Sequence, residues 1–353
     1  MRAGILLTVL TAVVTVPGLA QQNSTISEAE TVLAGLVEQY GVSGAEGPVR
    51  DAVRALLPEW AEPSVDSAGN LWVSVGSGDP VVAFVAHLDE IGYAVTAINA
   101  DGTLELERQG GFFPALYAWR PALAHGSTGS IPGVFVPGDS GRIVADLALG
   151  SRAAVEARGV TVGTTLTSPK SYQRLAGTRA TGRSFDDRIG STALVLALQR
   201  LDREQLKHRV IFIWSVREEI GLEGAEVAAD ALGVGVHRVH AVDTFVSSDG
   251  PLELTSYGLA PLGEGAVIRA VDNSNVAPRP LVDSLRSLAA RHDIPLQFGA
   301  TSGGNDGSAF APWGVPDVPI AWPLRYSHSP AEVADLKDVE ALAKLVEVIA
   351  EAW

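Results

Sequence analysis

Five separated stretches of the chain each carry one side chain able to ligate a hard divalent cation. They are His87 in Ala86-His87-Leu88-Asp89-Glu90-Ile91-Gly92, Asp186 in Phe185-Asp186-Asp187-Arg188, Glu219 in Arg217-Glu218-Glu219-Ile220-Gly221, Asp243 in Val242-Asp243-Thr244, and His328 in Arg325-Tyr326-Ser327-His328-Ser329-Pro330. Two imidazoles and three carboxylates suit Zn²⁺, Co²⁺ or Mn²⁺ rather than Cu(I) or an iron–sulfur cluster. A bridging carboxylate can hold two cations roughly 3.5–4 Å apart, with a hydroxide between them. A symmetrical allotment has Asp186 bridging, His87 and Asp243 on one ion, and Glu219 and His328 on the other. Glu218 precedes a ligand, and adjacent side chains diverge. It is placed to take a proton from an attacking water and return it to a leaving amine. Asp89, two residues past His87, can accept the second ring N–H of that imidazole and fix its tautomer. The chemistry this set points to is metal-assisted hydrolysis.

Rigid elements must deliver these donors. Pro80-Val81-Val82-Ala83-Phe84-Val85-Ala86 is a continuous apolar run, as in a strand buried on both faces of a parallel sheet, and His87 follows it. Residues 209–216 form a second such run, with Glu218 and Glu219 beyond its end. Residues 240–242 read as a short strand ending in Asp243. In open α/β sheets ligands bind beyond the carboxyl ends of the strands, so donors far apart in sequence converge on one edge. Helical periodicity predicts helices over residues 27–40, 49–60, 190–201, 224–232, 280–292 and 336–352. Residues 70–76 alternate as a strand, and the prolines of a late strand at 318–322 suit an edge or irregular position.

Between residues 93 and 177 the texture changes. Short β-like runs at 93–98, 133–136 and 142–147 are separated by Gly, Pro and Asp turns, with one short helix expected at 151–159. The pattern predicts a small β-barrel or sandwich inserted into an α/β domain. Residues 21–92 and 178–353 then make one discontinuous catalytic domain, and 93–177 the insertion.

The chain has 353 residues, 46% hydrophobic, which is ample for one large domain with an insertion. A formal net charge of -15 repels phosphate backbones and anionic lipid, so nucleic-acid and membrane-surface binding are disfavoured. The absence of cysteine excludes disulfides, thiolate zinc sites and cysteine nucleophiles. Met1-Arg2, an apolar run from Gly4 to Val16, and small residues at Gly18-Leu19-Ala20 read as a cleaved signal peptide over residues 1–20. The run is short for a membrane span. The mature chain is therefore expected in a periplasm or outside the cell, with no membrane attachment.

His125, His208, His237, His240 and His292 are read as structural or surface residues. Three rival functions share some of these features. Paired carboxylates also cleave glycosides, but two histidines at ligand positions have no use in a metal-free glycosidase. An inactive binding shell would have lost a ligand or the base, and none is missing. An amidohydrolase removing an acyl group from the same scaffold stays open.

The motifs resemble those of the M42 metallo-aminopeptidases, the family of the tetrahedral (TET) peptidases and glutamyl aminopeptidases. The likeness runs from about residue 26 to the C-terminus. It is carried by residues 86–93, by Ser184-Phe185-Asp186-Asp187-Arg188-Ile189-Gly190, by Glu218-Glu219-Ile220-Gly221-Leu222-Glu223-Gly224-Ala225 and by residues 325–332. It implies a zinc-peptidase-like three-layer α/β/α catalytic domain with an inserted PDZ-like β-barrel used in dimerisation. It further implies two divalent ions per subunit, zinc or cobalt, peptide substrates cut at the N-terminus, and homo-oligomers from dimers to dodecamers. By similarity His87, Asp186, Glu219, Asp243 and His328 are the metal ligands, Glu218 the general base and Asp89 the partner of His87. The bond after the bridging Asp is commonly cis in such folds. The chain departs from the family in three ways. It carries an export signal where members are usually cytoplasmic, its insertion is shorter, and it has Gly303-Gly304-Asn305-Asp306 where many members read Gly-Gly-Thr-Asp. Loops 258–265 and 299–310 are the candidates for lining the pocket of the substrate's first side chain.

Overall fold

A computed structural model describes residues 17–251 and 259–352, with side chains from residue 25. The basic start and apolar run expected as an export leader, residues 1–16, lie outside the described residues. The chain opens with α1 (Pro17–Val37), α2 (Gly47–Leu56), β1 (Ser64–Val65), β2 (Leu71–Val75) and β3 (Val81–His87). The next part holds β4 (Gly92–Ile98), β5 (Thr103–Gln109), β6 (Pro121–Gly126), β7 (Gly129–Pro137), β8 (Ile143–Asp146), α3 (Arg152–Glu156) and β9 (Thr165–Thr167). After it come β10 (Gln173–Arg174), β11 (Arg179–Gly182), α4 (Phe185–Arg200), β12 (Arg209–Ser215), α5 (Glu223–Leu232) and β13 (Arg238–Val246). The chain closes with β14 (Ala266–Val271), α6 (Arg279–Arg291), β15 (Leu296–Ala300), β16 (Ile320–Leu324), β17 (Glu332–Asp335) and α7 (Leu336–Ala352).

Eight strands form the main sheet in the order β1-β2-β12-β3-β13-β16-β14-β15. Its centre, β12, β3, β13 and β16, is parallel. Every residue of β3 is buried, as is all of β12 except Arg209. That is what unbroken Val, Ile and Phe runs demand, since each such side chain stabilises the fold by about 1.5–3 kcal/mol when fully buried. The apolar faces of α1, α2, α4, α6 and α7 cover one side of the sheet. Helix α5 and a 3-10 helix (Asp306–Trp313) cover the other, giving three layers. A separate three-stranded sheet, β10-β11-β17, stands where the chain returns from the insertion.

The insertion is a closed six-stranded barrel in the order β4-β5-β8-β7-β6-β9. It has a core of its own, in which the Tyr93 and Phe112 rings meet edge-to-face at 5.1 Å.

Two strands differ from expectation. β13 does not end at Asp243 but runs on to Val246, because it changes neighbour. It pairs with β3 up to Ala241 and with β16 from Val242 onward. The side of β13 that faced β3 is thereby freed at Asp243, which opens the sheet where the site lies. The proline-bearing strand β16 lies inside the sheet rather than at its edge. Its antiparallel pairing with β14 involves only Ile320 and Ala321, so that ladder ends before Pro323 needs a donor.

Candidate metal centre

His87 is the last residue of β3, and its register partner Ser215 is the last of β12. From there the chain turns through Arg217, at φ 56°, into Glu218 and Glu219. Asp186 stands in the bent first turn of α4, joined to Asp187 by the expected cis peptide bond. His328 comes from the loop between β16 and β17.

These four segments meet. His87 Nε2 lies 3.1 Å from Asp186 Oδ1, and His328 Nε2 lies 3.2 Å from Asp186 Oδ2. One carboxylate thus stands between two imidazoles. His328 Nε2 is also 3.4 Å from Glu219 Oε1, a buried oxygen that receives no hydrogen bond. Glu218 Oε2 is 3.9 Å from His87 Nε2. Asp243 lines the same cleft, where Arg269 Nη1 donates to its Oδ2 at 3.0 Å.

The surroundings orient both rings with Nε2 inward. His328 Nδ1 faces the Gly111 carbonyl at 2.5 Å, so the barrel segment helps to set this ring. His87 Nδ1 lies 3.2 Å from the Asp89 carbonyl and 3.3 Å from Asp89 Oδ1. The Asp89 carboxylate does more than sequence spacing suggested. It accepts the backbone N–H of Glu218 at 2.9 Å and of Glu219 at 3.1 Å, and the Ser43 hydroxyl at 2.6 Å. One buried carboxylate therefore holds the His87 strand end against the Glu218-Glu219 turn.

Several site residues escaped sequence reasoning. Asp187 accepts the His87 N–H at 2.7 Å and the Gly190 N–H at 3.0 Å. A Cβ at Gly190 would sit 2.2 Å from that carboxylate, which explains glycine there. Glu332 accepts the N–H groups of Phe185 and His328. Asp187 and Glu332 lay inside the quoted motifs, which was the available signal. Arg269 had none. Its guanidinium reaches Asp243, the Thr244 carbonyl and the Gly304 carbonyl from the middle of β14.

The electrostatics point to a site short of positive charge. Burial, with Asp243, Asp306 and Glu219 nearby, pushes the Glu218 carboxyl well above the usual carboxylate range. Burial likewise raises Glu219 and Asp243, the latter despite Arg269. Burial raises Asp306 to about 7, and its Oδ1 has no partner. Against burial, hydrogen bonds to Asp186 and Asp89 raise the His87 imidazole well above its ordinary value. His328 is raised in the same way by Glu219 and Asp186. Asp186 is held low, because its two imidazoles outweigh its burial. Carboxylates outnumber the cations facing them, Glu219 Oε1 has only a 3.4 Å contact with His328 Nε2, and both inward nitrogens are imidazole Nε2. This donor set fits divalent metal ions. Ligand atoms of His87, Asp186 and Glu219 already lie within 4.8 Å of one another.

The centre floors a cleft of about 560 Å³, lined by Phe113 and Leu116 from the insertion, Leu222, Val246, and the 301–304 loop. Of the two loops expected to line it, 299–310 does so in part. Gly263 and Gly265 line a different cavity, and residue 258 lies outside the described residues. His240 is engaged elsewhere, its Nδ1 facing the Val318 carbonyl at 2.7 Å, as is His237, whose Nδ1 accepts the Val81 N–H at 3.0 Å.

Comparison with known proteins identifies the family and the fold. The profile of the M42 glutamyl aminopeptidase family matches residues 69–345. Lysyl aminopeptidase of Pyrococcus furiosus is 30% identical over 341 residues, covering 90% of this chain and 95% of that protein. Glutamyl aminopeptidase of Lactococcus lactis subsp. cremoris is 28% identical over 335 residues, covering 86% and 90%. The Pyrococcus horikoshii TET1 peptidase, which can assemble into a tetrahedron or a large octahedral shell, superimposes with a TM-score of 0.85 at 30% identity, covering 93% of this chain and 100% of that one. The α/β domain, the inserted barrel and a histidine–carboxylate cluster at the strand ends are one consistent arrangement, and the chain belongs to the M42 family of metal-dependent aminopeptidases.

Proposed function

We propose that the chain removes N-terminal residues from peptides at a centre of two divalent ions, zinc or cobalt, held by His87, Asp186, Glu219, Asp243 and His328. The observation that carries this reading is the Asp186 carboxylate between two imidazole Nε2 atoms, with Glu219 Oε1 3.4 Å from one of them. When bound there, such ions polarise a carbonyl and lower the pKa of water. Asp186, with one oxygen toward each histidine, would be the ligand shared by the two ions. Glu218 is the general base. Its backbone is pinned by Asp89, its side chain reaches the cleft, and it is free of the hydrogen bonds that tie Asp89 and Asp187. It takes the proton of the attacking water and returns it to the leaving amine. Surplus carboxylates favour a substrate with a free, protonated amine, which restricts cleavage to chain ends.

The test is hydrolysis of a panel of free-amine aminoacyl-p-nitroanilides and their N-acetylated counterparts by protein loaded with Zn²⁺ or Co²⁺. Turnover is expected on free amines only, to vanish with chelator, and to fall about 10²–10⁴-fold in Glu218→Gln. Preference for the acetylated series, or an active Glu218→Gln, would overturn the assignment.

Two further points belong to this reading. The chain works as a homo-oligomer, as the TET1 peptidase does, and the exposed Phe113 and Trp119 mark the barrel as a pairing surface. Sedimentation of the loaded protein checks this, a monomer being the contrary result. The apolar stretch from Gly4 to Val16 directs export. N-terminal sequencing of protein from its native host tests that, an intact Met1 being the contrary result.

A further inference from the structure

Two of the proposed ligands sit beside backbone that L-residues disfavour. Ser184 has φ 66°, Tyr326 φ 60° and His328 itself φ 59°. Such left-handed non-glycine positions cost of order 1–3 kcal/mol each and persist only where their surroundings enforce them. One side chain reaches both segments. Glu332, 2% exposed, accepts the Phe185 N–H on Oε2 at 2.6 Å and the His328 N–H on Oε1 at 2.9 Å. Among the described residues no lysine or arginine pairs with it, so these two amides are what its buried carboxylate serves. Its own position is set by the antiparallel pairing of Glu332 with Gly182, the last residue of the strand returning from the barrel.

We infer that Glu332 is a positioning residue for the metal centre: it ties the backbone just before Asp186 to the backbone of His328, and so sets the affinity of the ion on the Glu219–His328 side. The two tethers explain how loops far apart in the chain bring Asp186 Oδ2 and His328 Nε2 to 3.2 Å without a direct backbone contact between them. The His87 backbone is held by a different carboxylate, Asp187, which accepts the His87 and Gly190 N–H groups. Loss of Glu332 should therefore be felt at one ion more than at the other. The inference rests on the two-ion reading above.

The molecule contains its own control. Asp338, at the start of α7, also spans two amides, accepting the Gly263 and Gly265 N–H groups at 2.7 and 2.7 Å, but lies outside the cleft lining. Metal-free wild type, Glu332→Gln and Asp338→Asn would be titrated with Co²⁺, following heat and the visible absorption of the bound ion. Glutamine keeps the size of Glu332 but turns one acceptor into a donor facing an N–H. Wild type should take up two ions. Glu332→Gln should bind one ion within about threefold of wild type and the other at least about tenfold more weakly, roughly 1.4 kcal/mol, with an altered absorption band for the weakened ion. Asp338→Asn should lower the melting temperature and leave both affinities unchanged. Equal binding in Glu332→Gln and wild type would overturn the inference alone. So would the same weakening in Asp338→Asn, which would trace it to general loosening. A wild type that takes up no Co²⁺ would overturn the metal-centre reading along with it. Should Glu332→Gln fail to fold, Glu332→Asp, which keeps the carboxyl but shortens its reach by one methylene, is read against the same outcomes.

Discussion

Asp89 and Glu90 are adjacent and both fully buried, yet they belong to opposite charge environments. Glu90 is ringed by Lys170 at 2.8 Å, Arg188 at 3.5 Å and Arg183, and it also accepts the Gly41 N–H at 2.7 Å. Burial alone would raise its carboxyl, but Arg183, Lys170 and Arg188 outweigh burial and hold it well below the carboxylate range. Asp89 faces the other way, into a centre where Asp186, Glu218, Glu219 and Asp243 outnumber the cations. A buried charge costs several kcal/mol unless it is paired. The Glu90 cluster meets that requirement from within the chain, and it joins the end of β3, the return from the barrel and α4 into one block. The candidate metal centre does not meet it from within the chain, which is the physical ground for the proposed binding of cations from solution. Of the two clusters, the incomplete one is also the one that opens on the cleft, the Glu218 side chain being 14% and the His328 side chain 30% exposed.

Metal removal should break this comparison most severely. Chelation should abolish turnover and make stability near neutrality pH-dependent through the centre's raised groups, Asp89 and Asp186 being held low as Glu90 is. Glu218, Glu219, Asp243, His87 and His328 all have folded pKa values raised above their unfolded ones in the metal-free state. Groups of that kind stabilise the fold below their unfolded pKa, about 4 for the carboxyls and 6.5 for histidine, and lose that contribution as pH rises through the folded value. The stripped protein should therefore lose stability between about pH 5 and pH 8. The loaded protein should not, because metal displaces those protons. Glu90 has the opposite sign, its contribution being lost only in strong acid. Melting curves across that range with and without chelator check this, and parallel curves would contradict it.

The next effect in size is Glu90→Ala. It strands three buried cations and should cost about 3–5 kcal/mol of unfolding free energy. Denaturant titration measures it, and a loss below about 1 kcal/mol would mean the cluster is not buried as described. Asp89→Asn comes third. It keeps the shape but weakens the hold on His87 and on the Glu218-Glu219 turn. About a 10–100-fold loss of metal affinity is expected, and unchanged affinity would remove Asp89 from the centre. Arg174→Ala should do least. Arg174 pairs with Glu30 at the surface, where both side chains remain partly in water. A change under about 1 kcal/mol is therefore expected. A larger loss there would undercut the contrast between buried and surface charge.

Much of this architecture was legible in one dimension. Unbroken β-branched apolar runs are typical of strands buried on both faces, so β3 and β12 were readable along with the donors at their ends. The change of texture from about Tyr93 marked the barrel. The end of β13 was not legible, because nothing local says that a strand changes partner at Val242. The interior place of β16 was hidden for the same reason, since Pro323 is tolerated only because the ladder beside it stops early. Arg269 was invisible because its role is a contact made across the sheet.

The sequence by itself determined which chemistry is available. Residue types are local facts, and two imidazoles with three carboxylates are a donor set for divalent cations wherever the fold brings them together. Only the tertiary structure decided how those donors are held. Asp89 pinning the Glu218-Glu219 turn, Gly111 turning the His328 ring, and Glu332 spanning two loops are contacts between segments distant in the chain. Such contacts have no local signature, because hydrogen bonds form by distance in space, and only packing of the sheet, helices and barrel sets that distance.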